Sequence, residues 1–262
     1  MSKSSITKSI VTLFIFSLIG ILLRMETIEF MLASNLATTE NIGLFDLTIH
    51  LLTSPLMSVY WILPLTFSVF YFKNLENNFD EENLSILLVR YQSRHSFMVD
   101  QFLSLTFSIF EYLVYLLGGS FIAWSMLGHR FTENNYHFII SLSPTTNILE
   151  IFAIILLYIV LGLMMVGLIT QILFLLFKNG FIVFFSVLGL CLIHTISYSF
   201  EVGDTITALL PFTQFSRGSS MLFYPFGLSL EWYTPIFQLS YLILFTVFLT
   251  VINFKTFKHY EV

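Results

Sequence analysis

The 262-residue sequence is poor in the groups that let a globule dissolve in water. Only 10% of its residues are charged, where a water-soluble domain carries about a quarter, and this shortage excludes a soluble fold. Hydrophobic residues make up 56% and aromatic residues 18%, with 31 Phe among them. Too little polar surface remains to cover a globule of this size, so lipid must be the solvent for much of the chain. There is one cysteine, Cys191, inside an apolar run, which excludes an internal disulfide and a cysteine-rich metal site. Eleven basic residues stand against 16 acidic ones, for a net charge of -5, and they are scattered along the chain. No basic stripe exists to follow phosphates, which excludes nucleic acid as a partner.

The motifs of soluble catalysis are missing too. None of the 12 glycines is followed by Lys, so the phosphate-cradling loop G-x-x-x-x-G-K-[ST] is absent and the chain is not itself a P-loop ATPase. There is no H-E-x-x-H and no G-x-S-x-G, and the six histidines never recur at the i, i+4 spacing with which a helix holds a metal. An enzyme is therefore not expected, and neither is a cofactor in this chain.

What the sequence does contain is long apolar runs. A bilayer core of about 30 Å needs roughly 20 mostly apolar helical residues, and six segments meet or approach that length: 10–32, 55–72, 101–124, 147–177, 181–199 and 235–254. The first also has the layout of a signal peptide, with Lys3 and Lys8 ahead of it and Ala33 behind, but is read as a span. Pro64 predicts a kink in the second. Lys178, Asn179 and Gly180 predict a tight turn between the fourth and fifth. The expected fold is thus an all-α polytopic membrane protein with six transmembrane helices in one domain, 1–262.

Short cytoplasmic loops are enriched in Lys and Arg. With six spans, one side holds Lys3, Lys8, Lys73, Arg90, Arg94, Lys178, Lys255 and Lys258, and the other holds only Arg24, Arg130 and Arg217. Eight against three puts both termini in the cytoplasm. An odd number of spans would erode this asymmetry.

The longest cytoplasmic stretch, about 79–94, reads as a short autonomous helix. Asn78 can cap it, Asp80, Glu81 and Glu82 complement its positive start, and Arg90 and Arg94 complement its negative end at i, i+4 spacing. Leu84, Leu87, Leu88 and Tyr91 share one face while Ile86 and Val89 project from the other. A helix apolar on two sides wants two apolar neighbours: it either lies in the interface as a cap or joins the bundle to a cytoplasmic partner.

The loop has the form D-E-E-N-x-x-x-x-L-x-R-Y-x-S-R from Asp80 to Arg94. On a six-span chain with both termini inside, it resembles the corresponding loop of ABC-2-type transporter permeases. A second likeness lies in 201–234, whose two short apolar pieces, broken by Pro211 and Pro225, resemble the re-entrant hairpin this family places between spans five and six. The resemblance implies a coupling helix built from Asp80, Glu81, Glu82, Leu84, Leu87, Leu88, Arg90, Tyr91 and Arg94. It also implies a multi-pass protein of the bacterial plasma membrane, paired with a second permease subunit and driven by two P-loop ATPase subunits that carry the ATP and Mg. The implied cargo is an amphipathic peptide, a lipid-linked molecule or a drug, with compact members often serving peptide export or immunity to antimicrobial peptides. The family's longer N-terminal amphipathic helix has no counterpart in the nine residues before Ile10.

Polar residues inside the spans are the other candidates. Glu111 in the third span is expected to face the bundle interior or a watery path, with Gln171, His194 and Gln238 as its potential partners. It either serves substrate or protons, or is a structural acid held by one of them. Two other functions remain open at this point. A CAAX-type intramembrane protease would use paired glutamates followed three residues later by Arg, but Glu81 and Glu82 lie in a loop and the next Arg is Arg90. An ATPase-independent bacteriocin-immunity protein is the other.

The orientation is open to direct measurement. Cysteines placed singly at Lys3, Arg90, Lys178 and Lys258 in a Cys191→Ser background should react with an impermeant maleimide only in opened cells. Those at Glu40, Arg130 and Arg217 should react in intact cells. Labelling of the Arg90 and Arg217 positions from one side would overturn the topology.

Overall fold

The computed structural model describes residues 15, 17–18, 52, 62–79, 93–126, 148–199, 204–214 and 234–258. Among these residues every element is helical and no strand occurs. In chain order the elements are α1 (Leu63–Phe79), α2 (Arg94–Met126), α3 (Ile148–Phe177), α4 (Gly180–Ser199), the short α5 (Asp204–Leu209) and α6 (Pro235–Lys258). One further helical turn, 211–214, follows α5.

Four helices contain stretches long and apolar enough to cross a bilayer: His95–Ile122, Phe152–Phe177, Gly180–Ser197 and Ile236–Phe257. The shortest has 18 residues, about 27 Å at the α-helical rise, close to the thickness of the hydrocarbon. These are the third to sixth of the expected spans. Part of the second is seen as α1, whose apolar portion Leu63–Phe72 is shorter. Of the expected first span, only residues 15, 17 and 18 are described, and they are helical.

The helix ends differ from expectation in two places. α2 begins at Arg94, seven residues before position 101, because the Ser93 hydroxyl accepts the Ser96 N–H at 3.1 Å and caps the helix. Arg94 therefore opens the third span rather than closing a separate loop helix. α1 runs on to Phe79, so Asn78 lies in its last turn. The remainder of the expected coupling helix, 80–92, lies outside the described residues.

α3 is the hub, in contact with α1, α2, α4 and α6. Seven consecutive residues, 162–168, are all buried; seven residues make about two turns, so this part of α3 is enclosed on every side. Tyr112 of α2, fully buried, reaches across to α1, with its hydroxyl 2.7 Å from Thr66 Oγ1 and 3.3 Å from the Leu63 carbonyl. Phe97 of α2 stacks on Phe257 of α6. At Gly167 an added Cβ would run into the side chain of Leu105, which shows how closely α2 approaches α3.

The tight turn between α3 and α4 forms as expected, with a division of labour that the sequence did not reveal. Lys178, not Gly180, takes the left-handed conformation (φ 49°), and its N–H donates to the Phe174 carbonyl at 2.9 Å. The Asn179 side chain caps α4 by accepting the Phe181 N–H at 2.9 Å. Gly180 is required for space, since a Cβ there would come within 2.6 Å of the Phe72 ring. Gly180→Ala is thus expected to lower the unfolding temperature in mild detergent, by an overpacking cost of about 1–3 kcal/mol. Phe72→Leu in the same chain should recover part of the loss; unchanged melting of Gly180→Ala alone would show that the ring yields freely.

Candidate intramembrane polar site

Several hydroxyls in these apolar helices are satisfied by their own backbone. Thr106, Ser120, Thr170, Thr195 and Thr250 each bond the carbonyl four residues earlier, at 2.8–3.0 Å. Such bonds remove the cost of a hydroxyl in hydrocarbon without forming a site. The residues that remain are the amides and the histidine.

On α6, Gln238, Thr246 and Asn253 recur at intervals of eight and seven, which places them on one stripe. Gln238 and Asn253 are fully or almost fully buried. Asn253 Nδ2 donates to Gln171 Oε1 of α3 at 2.7 Å, tying the two helices that lie in most extensive contact. Gln171 Nε2, Asn253 Oδ1, both polar atoms of the Gln238 amide and Thr246 Oγ1 are buried without a hydrogen-bond partner. An amide in that condition costs about 1–3 kcal/mol, so the stripe has unused capacity for a polar ligand group or water.

His194 of α4 has a different task. Its Nδ1 lies 2.7 Å from the Leu190 carbonyl and its Nε2 accepts the Phe212 N–H at 3.0 Å. A carbonyl can only accept and an N–H can only donate, so the ring is neutral, with its proton on Nδ1. Phe212 also stacks on the imidazole at 4.6 Å. Gln214 donates to the Ala208 and Leu210 carbonyls, and Tyr241 of α6 donates to the Leu209 carbonyl at 2.9 Å. The segment 204–214 is thereby held between α4 and α6 through the backbone groups that its broken helix leaves free.

The four expected intramembrane residues are not brought together. Gln171 pairs with Asn253, His194 holds the segment after α4, and the buried Gln238 amide engages neither of them. Glu111 is exposed on the outside of α2; the expected inward orientation is not what the helix adopts, because Leu105, Ile109, Tyr112 and Leu116 form its inner face. Of the expected coupling residues, Asp80, Glu81, Glu82, Leu84, Leu87, Leu88, Arg90 and Tyr91 lie outside the described residues. Asn253 was missed, although an Asn within the last apolar run at helical spacing from Gln238 was a readable signal. Among the described residues no group of His, Cys, Asp and Glu could hold a metal ion. Comparison with family models, with curated proteins and with solved structures gives no match.

The histidine clamp makes a specific expectation. Ala208 is fully buried, so Ala208→Cys in a Cys191→Ala background should resist maleimide. Changing His194 to Leu removes the bond from the Phe212 N–H to Nε2, a loss of about 0.5–1.5 kcal/mol, and labelling should become several times faster. Equal rates would mean that the His194 bond is not needed to hold the segment.

Proposed function

We propose that the chain is the membrane permease subunit of an ATP-driven exporter of the ABC-2 type, located in the bacterial plasma membrane. The single observation that carries this reading is the sequence of the loop 80–93, between α1 and the Arg94 that opens α2. It pairs a charge pattern suited to a short helix with two apolar faces, and the distribution of basic residues assigns it to the cytoplasmic side, where ATP is found. A chain without a P-loop needs such an element to receive work from a separate ATPase. In this reading two permease subunits act with two ATPase subunits, which carry the ATP and Mg.

The remaining elements take consistent roles. The first and second spans complete the six-helix topology, and α5 with the turn 211–214 forms the first arm of a re-entrant hairpin on the outer side. Short apolar pieces broken by Pro can lie in the membrane only if their free backbone groups are satisfied within protein, and the bonds from His194 and Tyr241 satisfy two of them. The cargo is an amphipathic peptide, a lipid-linked molecule or a drug.

The experiment is purification of the tagged protein from its native host in mild detergent. A P-loop ATPase should accompany it, and Leu87→Asp with Leu88→Asp should abolish both co-purification and transport while the chain remains folded. A carboxylate forced into an apolar groove costs several kcal/mol, enough to break a docking contact. Charge reversal at Glu81 and Glu82 should act mildly, since exposed pairs are worth about 0–1 kcal/mol. Full transport by the double Asp variant, with the ATPase still bound, would remove this loop from the mechanism.

A further inference from the structure

Three amide side chains share one level inside the bundle. Phe97 of α2 stacks on Phe257 of α6, and one turn from each lie Gln101 and Asn253. A further turn along α2, Leu105 lies against Gly167 of α3. One turn from Gly167 lies Gln171, whose Oε1 accepts the bond from Asn253 Nδ2 at 2.7 Å. The two packing contacts thus bracket a single layer of the junction between α2, α3 and α6, and Gln101, Gln171 and Asn253 belong to it. They are 3%, 1% and 2% exposed, so the cluster lies within the bundle and not on an open face.

The bond between Gln171 and Asn253 is half of what two amides can make. Each amide carries donors and an acceptor, yet Gln171 Nε2 and Asn253 Oδ1 are both buried without a partner among the described residues. One of these atoms donates and the other accepts. A cation would satisfy only the oxygen, and an anion only the N–H. Lys255, the nearest charge along α6, is exposed, and two residues from Asn253 it falls on the other side of the helix. A neutral molecule that accepts one hydrogen bond and donates another satisfies both atoms, and water is the smallest such molecule. Depth favours it as well. Asn253 is five residues from the end of α6 at Lys258, and Gln171 is six from the end of α3 at Phe177, roughly 8–9 Å along the helix axes.

We infer that the junction of α2, α3 and α6 is a binding site for internal water, which accepts from Gln171 Nε2 and donates to Asn253 Oδ1, with Gln101 at the same level on the third helix. The water completes the contact between α3 and α6 by bridging the two amides beside their direct bond. This site does not depend on the exporter reading, and loss of ATPase co-purification would leave it untouched.

The test is water-edited solid-state NMR of the isotope-labelled protein in phosphatidylglycerol vesicles, with the Gln171 side-chain signal assigned by its loss in Gln171→Leu. Magnetisation from water should reach Gln171 Nε2 at least several-fold faster than it reaches the backbone N–H of Val166, which lies in the enclosed part of α3. The exposed Asn179 side chain sets the fast limit. Asn253→Leu removes the acceptor and should slow transfer to Gln171 Nε2 several-fold while leaving Asn179 unchanged. Transfer to Gln171 no faster than to Val166 in the unaltered protein would overturn the inference, whatever the variant does. So would a rate unaffected by Asn253→Leu, or magnetisation arriving at Gln171 from lipid or a co-purified molecule instead of water.

Discussion

Hydrocarbon offers a hydrogen-bonding group no partner, and each element of this chain answers to that constraint. Backbone amides are closed within helices, the one arrangement that satisfies them locally. Side-chain hydroxyls on the apolar helices turn back to carbonyls of the preceding turn, as Thr106, Thr170 and Thr250 do. Where the helical pattern is broken, around 209–212, side chains from neighbouring helices take over: His194 accepts the Phe212 N–H and the Tyr241 hydroxyl donates to the Leu209 carbonyl. The same rule makes Glu111 conspicuous, as a carboxyl that is exposed on the apolar helix α2.

Association of the helices then depends on fit, because apolar side chains gain little from leaving lipid for one another. α3 supplies most of that fit. Its neighbours close around 162–168 on all sides, and Gly167 lets Leu105 of α2 approach. The turn after α3 returns the chain so directly that Gly180 comes against Phe72 of α1, beside the edge-on pair of Phe72 and Phe174. Contacts of this type tolerate little change in volume, which makes the centre of the bundle rigid and leaves variation to the outer faces of α2, α4 and α6.

The polar groups left within the bundle divide into two kinds. Those at His194 and Gln214 are committed to fixing a broken segment. Those on the α6 stripe are only partly used: the Gln171–Asn253 bond engages one atom of each amide, and Gln238 engages none.

Composition and hydropathy by themselves determined that the chain is helical and membrane-like, and they located four long apolar helices to within a few residues. The physical reason is that a run of some 20 apolar residues has few alternatives once water is excluded. Helix ends were less legible. The Ser93 cap lay among polar residues that gave no contrast, and Asn78 looked like a cap although α1 passes through it. What only the tertiary structure decided is which side of each helix faces inward. A helix with apolar residues on every face has no hydrophobic side for periodicity to reveal, so neither the enclosure of α3 nor the outward position of Glu111 could be read from spacing. The bond between Gln171 and Asn253 joins residues 82 positions apart, and its existence depends on how two helices lie against each other, a relation that no local pattern encodes.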